Sequence, residues 1–118
     1  MSENIVENKS FQFAVRTVNL YKHLTTDKKE YVMSKQLLKC GTSIGANVAE
    51  AERGQTKADF YAKLSIALKE AHETYYWLRL LNVTDYLTEK EFVSMEKDIK
   101  EIIALLIAIC KTTQQNQK

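Results

Sequence analysis

Residues 28–54 read KKEYVMSKQLLKCGTSIGANVAEAERG. Within them Leu37, Leu38, Gly41, Ile44, Gly45, Val48 and Ala49 recur at steps of one, three and four, which puts them on one face of an α-helix. Asp27 is placed to N-cap this helix, with Glu30 three residues on in capping-box register. Gly54 follows the last periodic residue, where a left-handed glycine ends a helix. The spacing therefore predicts a helix over about 28–53. Each of the two glycines inside it costs about 1 kcal/mol relative to alanine. With Ala49 they form a ridge of small residues that admits the close approach of another helix, and such packing offsets the cost.

The same periodicity continues on both sides. A first helix is expected over about 6–24, with Phe11, Ala14, Val15, Val18 and Tyr21 on its inner stripe. A third is expected over about 57–82, N-capped by Thr56 with Asp59 in its first turn, and with Phe60, Leu64, Ala67, Leu68, Ala71, Tyr75, Leu78 and Leu81 facing inward. A fourth, over about 89–112, follows the capping-box pattern Thr88-x-x-Glu91. The polar, glutamine-rich tail 113–118 is expected to fray. The 118 residues include no proline and only three glycines, too few for a fold of strands and tight turns. Residues 1–118 thus read as one all-α domain, an antiparallel up-down-up-down four-helix bundle.

The run Ile102 to Cys110 (IIALLIAIC) is apolar on every side, but a bilayer span needs roughly 20 such residues. It reads as core, and no membrane association is expected. One apolar face more than a lone bundle needs points to oligomerisation, with Ile102, Leu105 and Ile109 as the candidate interface. The polar start of the chain carries no signal-peptide pattern. Cys40 and Cys110 read as reduced core thiols of a cytoplasmic protein.

Net charge is +2, too balanced to argue nucleic-acid binding by itself. The distribution is uneven. From residue 9 to 39, Lys9, Arg16, Lys22, Lys28, Lys29, Lys35 and Lys39 face only Asp27 and Glu30. That basic stretch is the candidate for phosphate contacts.

Catalytic motifs find little support. Gly41-Thr42-Ser43-Ile44-Gly45 matches the G-x-S-x-G nucleophile elbow, but that motif works only at a strand-to-helix turn, and here it lies inside a helix. A di-iron bundle needs Glu-x-x-His pairs, whereas His23 and His72 follow Leu20 and Lys69 at that spacing. No metal site or cofactor is implied. Glu70 and Glu73 put two carboxylates on one helical face, which keeps a magnesium-dependent enzyme as a third-ranked reading. Ser43, Asn47 and Glu50 share one face of the second helix; Glu70, Glu73 and Trp77 share one of the third. If those faces meet, the six form a buried polar network that sets helix register.

Ser34 to Gly54, together with Ala58 to Leu78 (ADFYAKLSIALKEAHETYYWL), closely resembles the small bacterial four-helix-bundle proteins encoded in intervening sequences of 23S rRNA genes. The accessory variability proteins of diversity-generating retroelements look like relatives of that family. The resemblance runs from about Phe11 to Cys110. Ser43, Gly45, Asn47, Glu50, Gly54, Asp59, Phe60, Glu70, Glu73 and Trp77 fall on positions that match its motif. The resemblance implies a bundle that assembles into a ring, a homopentamer, with no established enzymatic activity and no agreed catalytic set. It also implies, by way of the retroelement relatives, binding to nucleic acid and to a reverse transcriptase through basic surface.

The first expectation is therefore a non-enzymatic, oligomeric bundle that scaffolds or binds structured RNA or another nucleic acid. Arg16, Lys22, Lys28, Lys29, Lys35 and Lys39 are its candidate phosphate contacts. The alternative is a protein-interaction adaptor for a partner such as a reverse transcriptase.

Overall fold

A computed structural model of the chain describes the backbone of residues 2–117 and the side chains of residues 5–113. Four helices follow one another: α1 (Ser2–Thr26), α2 (Met33–Glu52), α3 (Lys57–Val83) and α4 (Glu89–Gln117). No strand occurs among the described residues. Successive helices pack along their lengths, and α1 meets α4 more sparsely. The bundle measures 48 × 21 × 20 Å, close to the roughly 44 Å expected for a helix as long as α4. The expected four-helix, all-α architecture is the one observed.

Buried residues recur at steps of three and four on every helix. They are Val6, Ser10, Phe13, Thr17 and Leu24 on α1, and Ser34, Leu37, Cys40, Gly41, Ile44, Val48 and Ala51 on α2. On α3 they are Leu64, Ala67, Ala71, Thr74, Leu78 and Leu81, and on α4 Phe92, Met95, Ile99, Ile102, Leu106, Cys110 and Thr113. With Leu20 packed against the core on α1, the spacing stays at three and four except where Cys40 beside Gly41 widens the α2 face. That is the periodicity of helices packed lengthwise against one another.

This spacing corrects the expected face of α1. Phe11, Val15 and Val18 are exposed, Phe11 to 63%. The true inner stripe runs one residue out of step with the predicted one and includes two polar residues. The reason lies on α2. A Cβ added at Gly41 would stand 2.7 Å from Thr17 Cγ2, and one at Gly45 would stand 3.3 Å from the Ser10 carbonyl oxygen. The small-residue ridge thus receives α1 of the same chain, and only small side chains fit between the two helices. Ser10 and Thr17 enter without loss because each hydroxyl donates to a carbonyl of its own helix, Glu7 at 3.0 Å and Phe13 at 2.9 Å.

The start of α2 is a second correction. The helix begins at Met33, not near 28, and Asp27 does not cap it. Lys29 adopts φ 57° and turns the chain, and the buried Glu30 supplies the cap. Its carboxylate accepts from the backbone N–H groups of Val32, Met33 and Ser34 at 3.1, 3.0 and 2.7 Å. Burial pushes the Glu30 carboxyl up, but these hydrogen bonds outweigh it and hold the group below its ordinary value. A depressed carboxyl stabilises the fold above its unfolded pKa, and that contribution disappears as pH falls through the folded value. Glu30→Ala should cost about 2 kcal/mol at neutral pH. Glu30→Gln should flatten the acid limb of stability against pH, read by urea melts between pH 7 and 3. An unchanged acid limb would remove Glu30 as its source.

Other ends behave more nearly as expected. Thr56 Oγ1 accepts from the Asp59 N–H at 3.0 Å. Thr88 and Glu91 form a reciprocal capping box, with bonds of 2.8 and 3.1 Å. Gly54 is not left-handed. Its place is explained by closeness: an added Cβ would lie 3.1 Å from the Ala51 carbonyl oxygen and 3.3 Å from the Phe60 nitrogen. The α4 backbone continues past the expected end at 112 to Gln117, and Thr113 is buried with its hydroxyl donating to Ile109. Thr113 is therefore not frayed; Lys118 lies outside the described residues.

The sparse α1–α4 seam is bridged by charge. Lys9 pairs with Glu101 at 2.8 Å, and Arg16 pairs with Asp98 and donates to Ser94 Oγ at 2.7 Å. His23 Nε2 lies 3.8 Å from Glu91. The α1 partners recur every seven residues, the repeat of the core seam beside them. All are partly exposed, so they set alignment more than stability.

Candidate nucleic-acid interface

Five of the six predicted phosphate-contacting residues gather at one end of the bundle. Lys28 and Lys29 lie in the α1–α2 turn, Lys22 in the closing turns of α1, and Lys35 and Lys39 on the opening turns of α2. Lys39 stands six residues into α2, or about 9 Å along its axis. All five are exposed, and among the described residues none of them forms an ion pair within hydrogen-bonding reach. Lys28 feels the charge of Glu91 at longer range and helps hold that carboxyl low, after the dominant hydrogen bond from the Thr88 N–H. Of the two acids in this stretch, Glu30 is consumed as a cap and Asp27 lies 2.8 Å from His23 Nδ1.

Arg16 does not join them. Its guanidinium is occupied by Asp98 and Ser94 across the α1–α4 seam. Sequence spacing could not separate it from the lysines, because its partners lie about eighty residues away along the chain.

The six-residue polar network does not assemble. The Asn47 side-chain amide donates to the Ser43 carbonyl of its own helix at 2.8 Å. Glu50 is exposed and sits 3.3 Å from Lys63. Glu73 is exposed and accepts from the Trp77 indole at 3.3 Å, while the Glu70 backbone carbonyl accepts from the Thr74 hydroxyl. The polar groups that are buried are Ser10, Thr17, Glu30, Ser34, Thr74 and Thr113. Most are hydroxyls that bond back to their own helix, a pattern the core-face periodicity could have revealed had it been counted in strict steps of three and four. Among the described residues, no group of three or more His, Cys, Asp or Glu side chains converges as a metal-binding cluster. Glu70 and Glu73 stand without a third acid.

Of the predicted oligomer face on α4, the bundle itself encloses Ile102. Ile102 is 1% exposed within the core of its own bundle, and Leu105 and Ile109 are half-buried against that core. α4 packs against both α3 and α1, which needs a wide apolar surface on it, and the run 102–110 supplies it. Exposed large apolar side chains include Phe11, Val15 and Val18, which form a stripe on α1, and Ile107 on α4. Beside Phe11 runs a shallow groove floored by Gly45 and Ala49 and edged by Glu7 and Asn8.

Cys40 and Cys110 are free and buried. Burial pushes the Cys40 thiol up to about 11 and the Cys110 thiol up as well, so neither is a ready nucleophile. No helix of the described residues is long and apolar enough to cross a membrane.

Comparison with known proteins agrees with this architecture. Residues 2–108 match the family model described as "23S rRNA-intervening sequence protein". The fold matches a crystal structure of a protein with unknown function from the S23 ribosomal protein family of Bacteroides thetaiotaomicron, with a TM-score of 0.93 and 58% identity. That match covers 94% of this chain and 99% of the other. No curated protein matches.

Proposed function

Because the chain belongs to the 23S rRNA-intervening sequence protein family, we propose that it is a non-enzymatic, oligomeric bundle that binds structured RNA or another nucleic acid. The contacts are to phosphates, through Lys22, Lys28, Lys29, Lys35 and Lys39. The observation that carries this reading is placement: these five exposed lysines crowd one end of the bundle, and among the described residues none of them has a carboxylate in ion-pair contact. Unneutralised lysines that share a surface attract a polyanion and release its counterions. The buried thiols fit a reducing compartment, the cytoplasm.

Self-association runs through the outer face of α1. Phe11, Val15 and Val18 form a stripe that a solitary bundle gains nothing by exposing, and the Gly45–Ala49 groove beside it offers room for an inserted side chain. A ring of five copies is the state that the family resemblance implies.

Light scattering of the full chain, with and without bacterial RNA at low and high salt, tests both parts. The expected result is a mass of several chains that grows with RNA at low salt and returns to its own value at high salt. Val15→Asp should reduce the mass to one chain while helicity stays unchanged. A native monomer would overturn the α1 interface. A stable oligomer indifferent to RNA would favour a protein-partner adaptor instead.

A further inference from the structure

The turn that carries Lys28 and Lys29 also carries an aromatic ring into solvent. Tyr31 is 58% exposed and Val32 beside it 74%. Neither is loosely held. The Lys29 backbone is left-handed at φ 57°, and the Glu30 N–H donates to the Leu24 carbonyl at 2.9 Å. The Glu30 carboxylate grips the three amides that follow Tyr31. The backbone on both sides of Tyr31 is thus pinned, and its outward position is built into the turn.

From this juxtaposition we propose that Tyr31 is a stacking platform for one unpaired base, with Lys28, Lys29 and Lys35 taking the phosphates on either side. The inference rests on the nucleic-acid reading above and narrows it to the class of ligand: a single-stranded or looped-out stretch, not a continuous duplex. A flat ring gains stacking energy only from a base whose face is free, and inside a duplex both faces are covered. The lysines alone do not discriminate, since phosphates are common to both forms. The first turn of α2 is not a rival phosphate site, because Glu30 already occupies its amides. A protein ligand fits less well, because a ring flanked by lysines, with Val32 as its exposed apolar neighbour, falls short of the apolar surround that a protein anchor needs.

The test uses the full chain and a short labelled oligonucleotide, single-stranded or annealed to its complement, as RNA and as DNA, at about 50 mM salt. Tyr31→Ala should weaken single-strand binding about tenfold, within the range for one stacked base, and leave duplex binding unchanged. Tyr31→Phe should bind the single strand as the unaltered chain does. The paired change Lys28→Gln with Lys29→Gln should weaken both forms. The RNA and DNA arms identify which strand is the source, and the Tyr31→Ala loss in either one supports the proposal. Equal loss on strand and duplex, or no loss on either, overturns it while the lysine result keeps the broader reading standing. Failure of the unaltered chain to bind any of the probes overturns both.

Discussion

Changing Lys28→Glu, Lys29→Glu and Lys35→Glu together is expected to abolish nucleic-acid binding while the oligomer keeps its mass. Each lysine that neutralises a phosphate contributes roughly 0.9 to the slope of log affinity against log salt on a duplex. Losing three such contacts amounts to more than about a thousandfold at low salt, before counting repulsion from the new glutamates. All three lysines are exposed, and they lie apart from the Phe11, Val15 and Val18 stripe. The fold should therefore be indifferent to the change, with surface substitutions usually within about 0.5 kcal/mol. Arg16→Gln is the internal contrast. Its guanidinium is committed to Asp98 and Ser94, so its loss should loosen the α1–α4 seam slightly and leave the salt slope unchanged. Unchanged affinity of the triple variant at low salt would remove this end of the bundle from the function.

The largest effect on stability is expected at Gly41. Gly41→Val should cost about 3 kcal/mol, against typical overpacking costs of 1–3 kcal/mol, and lower Tm by about 12 °C at roughly 4 °C per kcal/mol. The gain in helix propensity over glycine, a few tenths to about 1 kcal/mol, is too small to offset it. The cause is geometric: the first side-chain atom would stand 2.7 Å from Thr17 Cγ2 and 2.9 Å from Thr17 Oγ1, inside a residue that is fully buried. Thr17→Ala removes both of those atoms. Gly41→Ala should then cost less in that background than in the native one, and equal costs would place the strain elsewhere. Gly45→Ala provides the contrast. Its nearest neighbour is the Ser10 carbonyl oxygen at 3.3 Å, so strain and propensity nearly cancel, to within about 1 kcal/mol.

Much of the fold was legible from local pattern. Threonine caps at Thr56 and Thr88, the Glu91 partner and the periodicity of α2, α3 and α4 all depend on residues within a turn or two of one another. The lysines of residues 22–39 could likewise be found by counting, because the turn that brings them together is short. The wrong start of α2 shows where such reading stops. Asp27 and Glu30 had the spacing of a capping box, but α1 runs on to Thr26 and the chain must reverse before α2 can begin. The left-handed Lys29 makes that reversal, and Glu30 is carried into the cap position.

What the sequence by itself determined was four amphipathic helices, their order, the Thr56 and Thr88 caps and the basic turn, since each follows from interactions between near neighbours. Only the tertiary structure decided which stripe of α1 faces inward. That helix offers two apolar stripes, one through Phe11, Val15 and Val18 and one through Val6, Phe13, Leu20 and Leu24 with Ser10 and Thr17 between them. Hydrophobicity alone does not choose between them, and the glycine ridge of α2 admits the one whose small Ser10 and Thr17 fit against it. Tertiary packing likewise turned Arg16 to Asp98, kept Ile102 inside and set Glu50 against Lys63 of α3. In each case the deciding partner lies on another helix, and periodicity along one helix carries no information about the shape of its neighbour.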